Sequence, residues 1–303
     1  MRRIQLKLKT IPIILAILLC LIPDSINYAQ DTTETKEDEW EWDWEYDEIK
    51  DWIHFGKKMP TISSYYGITD INDEQITQPL ADGNLAQLDL GYTRRNTSKY
   101  AEYILKYSYK NLYLGYVSSE IGESTSDTNQ INSNTWRFGF ARSGGYGYKM
   151  GNAALIFYNS WSFDWSSVDF TNRANNPEDQ NTLDYIEDRI RFGTSADGGV
   201  RFVAASLITL DAGFQRSIVF PRHLFWKLAG SAIIEVASQG LLDIFIKKVF
   251  NSSPSAGPIV YFLLKNALSY GIYELRQDKM NWPFSSAPPL AFDSFRFGVM
   301  FTF

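Results

Sequence analysis

The 303-residue sequence is 45% hydrophobic, 16% aromatic and 21% charged, with a formal net charge of −6. So acidic a chain is a poor match for nucleic acid. Its single cysteine, Cys20, rules out a disulfide framework or a thiolate metal cluster.

Residues 1–29 read as a secretory signal peptide. Arg2, Arg3, Lys7 and Lys9 precede an apolar run from Ile11 to Ile22, and Ala29 supplies the small residue of a cleavage site. Leu19 before Cys20 departs from the small residue of a bacterial lipoprotein signal, so lipidation is not expected. Processing removes the cysteine and leaves 25 basic against 34 acidic side chains. Beyond the signal no uninterrupted apolar run reaches the roughly 18 residues of a transmembrane helix. A helix is therefore not expected to anchor the chain, and if it spans a membrane it must do so as a closed barrel.

Residues 30–84 read as an acidic, aromatic periplasmic arm. Within 36–52, Trp40, Trp42, Trp44 and Tyr46 alternate with Glu41, Asp43, Glu45 and Asp47, the pattern of a solvated arm, a docking strand or an interfacial anchor. Pro60–Ile71 resembles a short strand, and 72–84 a polar connector.

From residue 85 a two-residue period takes over. Leu88, Leu90 and Tyr92 alternate with Gln87, Asp89 and Gly91; Tyr103, Leu105, Tyr107 and Tyr109 alternate with Lys106 and Ser108. The apolar parity then switches at Lys110-Asn111, carrying Leu112, Leu114 and Tyr116 onward, which predicts a tight hairpin there. A second switch at Gly151-Asn152 separates even-numbered Trp136, Phe138, Phe140, Tyr146 and Tyr148 from odd-numbered Leu155, Phe157, Trp161, Phe163 and Trp165. Strands are predicted near 85–94, 100–109, 112–119, 135–150, 153–166, 188–205, 207–220 and 294–303. The count rises to ten if Pro60–Ile71 and a split at Asp197–Gly199 are both added. Short turns at one end and long polar stretches, 119–135 and 168–188, at the other give the asymmetry of membrane barrels. On this reading Tyr92, Tyr116, Trp136, Trp161 and Trp165 form an outer aromatic belt, and Tyr107, Tyr109, Tyr146, Tyr148, Phe301 and Phe303 an inner one.

The opposite face carries Asp89, Lys106, Arg137, Asp164, Arg191, Asp211 and Arg296, predicted to pair as a lumen charge network. None of the apolar positions named as outward is Lys or Arg, which would cost about 2–4 kcal/mol against lipid at mid-membrane. A soluble lipocalin-type barrel fits poorly, because its cavity face should be the apolar one. Between the last two strands, 221–293 takes a helical period. One stripe holds Gly230, Ile233, Ala237, Leu241, Ile244, Phe245 and Val249; after "NSSPSAGP" a second holds Val260, Leu264, Ala267, Leu268, Gly271 and Leu275. These stripes are expected to be buried against each other, the barrel mouth or the bilayer surface.

Together these features resemble the bacterial outer-membrane β-barrel proteins, specifically the small group of about eight strands. The resemblance implies an all-β, membrane-spanning antiparallel up-and-down barrel over 85–303, with a helical hairpin inserted before the last strand. It also implies a location in the outer membrane, in contact with its lipid. Val299, Phe301 and Phe303 then match the C-terminal signal read by the barrel-assembly machinery.

Chemistry is sparse. His54 and His223 are the only histidines; His223 suits a rim position of lipid hydrolases and acyltransferases, but no Ser and acid are singled out beside it. "GGYGYKMG" lacks the Lys-Ser/Thr ending of a phosphate loop and reads as lumen-facing glycine. No metal or cofactor motif is present. The expected function is non-enzymatic, structural or partner-binding, with an envelope protein met through 36–52 or 221–293; a narrow channel or ligand carrier and a lipid-modifying enzyme are the alternatives.

Overall fold

The computed structural model describes residues 58–120, 130–187 and 189–303. The expected signal peptide, the segment 36–52 and His54 lie outside these residues.

Eight strands close into an antiparallel up-and-down barrel: β1 (Met59–Asn72), β2 (Gly83–Thr97), β3 (Ile104–Ser118), β4 (Ser133–Met150), β5 (Ala153–Phe170), β6 (Ile190–Val203), β7 (Ile208–Val219) and β8 (Leu290–Thr302). Each pairs with its chain neighbours, and β8 returns to β1 over Thr61↔Thr302 to Asn72↔Ala291. The Phe303 N–H donates to the Pro60 carbonyl at 2.9 Å. Every strand is therefore paired on both sides, which removes the exposed edges that hydrocarbon does not tolerate. One end carries short connections, including Gly151-Asn152 with Gly151 at φ 63, a left-handed conformation that suits glycine. The other end carries long connections. One includes the helix α1 (Pro177–Ile186), and another the paired helices α2 (Phe225–Ser252) and α3 (Gly257–Asp278).

The count of eight stands, but two of its strands differ from the expectation. Pro60–Ile71 belongs to β1, so the barrel begins at Met59, inside the segment assigned to the arm. The proposed hairpin at Lys110-Asn111 does not exist: β3 runs unbroken from Ile104 to Ser118, and β6 is likewise unsplit. The parity switch in β3 has another cause. Near the short-turn end Tyr107 and Tyr109 point inward and Lys106 outward, while farther along Leu112 and Leu114 point outward. The outward side chains change from apolar to basic where the strand leaves the level of hydrocarbon, so the pattern inverts without a turn.

The helical hairpin lies along the outside of the barrel wall. At the short-turn end Phe250 stacks on Tyr100 and meets Tyr146, and Tyr261 packs edge-on to Tyr146. Midway, Asn159 donates to Asn266 at 3.0 Å and Ser269 at 3.3 Å, and Asn266 donates to the Tyr158 carbonyl. At the long-loop end Arg216 sits over the rings of Tyr270 and Tyr273, whose hydroxyl donates to Asp293 at 2.6 Å. The seat for α3 is an outward row of small and polar residues, Gly144↔Asn159↔Gly198, in register across three strands. Of the glycines in "GGYGYKMG", Gly144 therefore faces the helix while Gly145 and Gly147 face inward.

The expected burial of the helical stripes is reversed on α2 and met in part on α3, where Leu268 and Gly271 are buried. Ile233, Leu241 and Ile244 are exposed, and Ser231, Leu242, Ile246 and Phe250 are the buried residues of α2. On α3, Ala267 is exposed while Lys265, Ser269 and Arg276 are buried. Polar side chains turn inward here because they pair: Lys265 with Asp243 at 2.8 Å, and Arg276 with Glu235 at 3.0 Å.

A Cβ at Gly198 would run into the Asn266 amide. Gly198→Val is thus expected to loosen α3 from the wall by about 1–3 kcal/mol while the barrel stays closed. Limited proteolysis between 221 and 289, read beside the heat-dependent gel mobility of the barrel, checks both halves of this.

Candidate functional site

The lumen is filled by side chains and crossed by three buried ion pairs. Arg137 donates to Asp164 at 2.6 Å and to the Ser217 and Ser195 hydroxyls at 2.6 and 3.1 Å. Arg201 donates from Nε to Asp211 at 2.7 Å, its cross-strand partner. Arg296 pairs with Asp197. All six are buried, where an isolated charge would be costly and a paired, hydrogen-bonded one is tolerated. Aromatic rings complete the cage. The Arg201 guanidinium lies 3.9 Å from the Tyr158 ring centroid and Arg296 lies 4.4 Å from that of Tyr65. Both tyrosine hydroxyls donate to Asp211, at 2.9 Å from Tyr158 and 3.2 Å from Tyr65. A Cβ at Gly213 would meet the Tyr158 hydroxyl at 2.5 Å, so a bare backbone there makes room for the phenol.

Of the residues predicted for this network, Asp89, Arg137, Asp164, Asp211 and Arg296 lie in the lumen. Asp89 accepts from Gln87 at 2.7 Å and Asn111 at 2.9 Å. Lys106 does not belong: it points outward, because β3 is one strand and not two. Arg191 is buried at the long-loop end, where it donates to the carbonyls of Pro221 and Tyr185 and lies over the Tyr185 ring. Asp197 and Arg201 were missed. Both sit on the inward parity of β6, and extending the alternation through Asp197–Gly199 would have found them.

Apolar clusters close both ends. Toward the long loops, Ile71, Leu85, Val117, Val168, Leu183 and Phe292 belong to one; toward the short turns, Tyr107, Tyr109, Ile156, Val203 and Met300 belong to another, with Leu105 packed against it. Leu105, Tyr107 and Tyr109 thus face inward, contrary to expectation. A small cavity between Asp89, Asn111, Arg201 and Arg296 measures about 10 Å³, near the least that holds one water.

Outside, polarity is inverted. Leu90, Leu112, Trp136, Phe138, Phe163, Phe295 and Phe297 are all exposed, on five of the eight strands. Charge inside and grease outside is a soluble fold turned inside out, and only hydrocarbon around a closed hydrogen-bond ladder makes it stable. The chain is a closed, membrane-spanning β-barrel. Its Tyr116, Trp136 and Trp165 cluster with Phe138 and Phe192 toward the long-loop end, the outer side of such barrels. Tyr92 is paired with Pro60 across the ladder and lies toward the inner end, since the added β1 reverses the direction expected for β2; Trp161 lies mid-wall. Outward basic residues do occur: Arg94 and Lys106 toward the inner ends of β2 and β3, and Lys110 and Arg142, which face each other across the ladder, nearer mid-strand. Near the headgroups the cost of Arg94 and Lys106 falls to about 0–1 kcal/mol.

No family model matches this barrel's sequence, and no curated protein matches it either. Among solved structures it is similar to Neisserial surface protein A, NspA, at 9% identity and TM-score 0.39, over 80% of this chain and 97% of that one. It is also similar to Ail, the attachment invasion locus protein of Yersinia pestis, at 7% identity and TM-score 0.32, over 81% of this chain and 99% of that one.

The outer mouth of the barrel is capped by α1 and the β1–β2 loop, joined at Asp179. Its carboxylate accepts from the Thr77 N–H at 3.0 Å, the Thr77 hydroxyl at 2.8 Å, the Gln78 N–H at 2.9 Å and the Asn176 amide at 2.8 Å. Asn176 caps α1 in return, accepting from the Asp179 N–H at 2.7 Å. Burial would push the Asp179 carboxyl up, but these donors outweigh it and hold it below the usual range. Asp73 shows the opposite balance: desolvation pushes it up to about 6 against the Gln75 N–H that it accepts. His223 is exposed beside the Phe192 ring.

Two outcomes are expected. Arg201→Met strands the buried Asp211 charge and lowers unfolding free energy by about 3–5 kcal/mol, and Arg201→Met with Asp211→Leu restores most of it; urea unfolding in vesicles measures both. In the cap, Asp179 stabilises above its unfolded pKa of about 4, and that contribution is lost on acidification through its lowered folded pKa. Asp73 destabilises progressively as pH rises from about 4 to about 6. Asp179→Asn should therefore speed hydrogen exchange at Thr77 and Gln78 at pH 7 and do so less at pH 3. Asp73→Asn should slow it at pH 7 and leave it unchanged at pH 4.

Proposed function

We propose that this outer-membrane barrel is a closed, non-enzymatic scaffold whose outer cap binds a partner at the cell surface. The observation that carries the reading is the filled lumen: ion pairs across the middle and an apolar cluster at each end. A barrel of eight strands has an interior that side chains fill, which weighs against a channel or carrier. The cap, by contrast, is well built. The Asp179 junction and the packing of Leu183 and Ile186 into the outer cluster hold α1 in one place, as a recognition surface requires. Val299, Phe301 and Phe303 serve assembly on this reading: Phe301 and Phe303 are exposed at the inner end of β8, where the strand closes on β1. The segment 36–52 provides a second, periplasmic contact.

Purified protein in planar bilayers should give no discrete conductance steps; reproducible steps would overturn the closed scaffold. A photo-crosslinking residue in place of Glu178 on α1, irradiated on intact cells, should yield a defined adduct. The same residue in place of Lys149, at the inner turn, should not yield that adduct.

A further inference from the structure

The inside-out rule extends past the strands. α2 has 28 residues and its most apolar stretch has a mean hydropathy of 1.4, yet only 17% of that stretch is buried. A core helix of a soluble domain would be mostly buried, and a signal sequence would sit near the N-terminus; α2 is neither. It runs the height of the barrel. Phe250 meets Tyr146 at the inner end, while Arg276 of α3, near the outer end, donates to Ser231 at 3.0 Å. Its two acidic residues inside the stretch face α3 and pair there with Arg276 and Lys265. Its outward residues Ile233, Val236, Leu241 and Ile244 are each more than half exposed. The cations Lys227 and Lys247 lie twenty residues apart, which in a helix is about 30 Å, the thickness of the hydrocarbon layer.

From this we infer that α2 and α3 cross the outer membrane beside the barrel, with acyl chains as the occupant of the exposed α2 face. Lys227 and Lys247 then mark the two headgroup levels, with Phe225 and Trp226 at the outer one, where aromatic side chains gather. Continuity carries the choice of occupant. The α2 face extends the apolar surface of the barrel wall around α3, at the same height. Paired acids explain why the crossing was invisible as an apolar run: Glu235 and Asp243 break it in sequence and are neutralised in space.

The inference rests on the barrel being in a membrane, and the test separates the two. In a Cys20→Ser background, Leu241→Cys, Ile244→Cys and, on the barrel wall, Phe138→Cys are introduced singly into the full chain and reconstituted in phosphatidylcholine vesicles. A charged maleimide should label all three at least tenfold more slowly in vesicles than after denaturation. A bimane attached at each site in detergent before reconstitution should be quenched by acyl-brominated lipid. Quenching at Phe138 with fast labelling at Leu241 and Ile244 puts the hairpin in water and overturns the inference alone. Slow labelling without lipid quenching at those two sites puts another protein or a second copy on α2 and also overturns it. Fast labelling at all three sites overturns the membrane reading itself.

Discussion

Hydrocarbon offers no partner to a peptide N–H or carbonyl, and this constraint organises the molecule. It demands that β8 find β1, because any unpaired edge would leave a row of unsatisfied backbone groups in lipid. The ladder from Thr61↔Thr302 to Asn72↔Ala291 meets that demand. Once the wall is closed, each side chain has two destinations, and at the level of hydrocarbon a charge is cheaper inside, where it can be paired. Three arginines and four aspartates then share a narrow space: three of the aspartates pair with the arginines, and Asp89 accepts from Gln87 and Asn111 instead. The tyrosines around Arg201 and Arg296 fill what remains, with their rings against guanidinium groups and their hydroxyls on Asp211.

The same constraint governs the hairpin, by a different route. A helix satisfies its own backbone, so α2 and α3 need no ladder; they need only hide their charges. Lys265 and Arg276 point toward α2, and Asp243 and Glu235 return the contact. The wall cooperates through the small row of Gly144, Asn159 and Gly198, where α3 approaches close enough for Asn266 to hydrogen-bond the sheet.

The architecture was largely legible because period-two alternation with opposite chemistry on its two sides is hard to produce otherwise. The Gly151-Asn152 turn and the inward positions of Arg137, Asp164, Asp211 and Arg296 followed from it directly. Failures cluster where polarity stops following parity. In β3 the outward face turns basic below Leu112, and alternation alone cannot distinguish that change of depth from a hairpin. In β1 the serines and threonines of the inward face, such as Ser63 and Thr69, lack the contrast that marks a strand. On α2 an apolar stripe fits burial against the other helix, the barrel mouth or the bilayer surface alike, and its period cannot say that Ile233, Leu241 and Ile244 stand on the outside of the hairpin. The Asp179 junction was hidden because it joins residues 102 apart in sequence, although Asn176-Pro177-Glu178-Asp179 carries the cap, the proline and the acids of a helix start.

Because α3 occupies the inner half of β4 and β5 and the middle of β6, that sector of the barrel is free only in its outer part, at Trp136, Phe138 and Trp165. A neighbouring molecule diffusing in the plane of the membrane can approach the strand wall broadly only from the side of β1, β2, β3 and β8, where Ile68, Leu90, Leu114 and Phe297 stand clear. The hairpin thereby gives a nearly cylindrical object a front and a back, and lateral crowding, which treats a plain cylinder alike from every direction, acts on this one from a preferred azimuth.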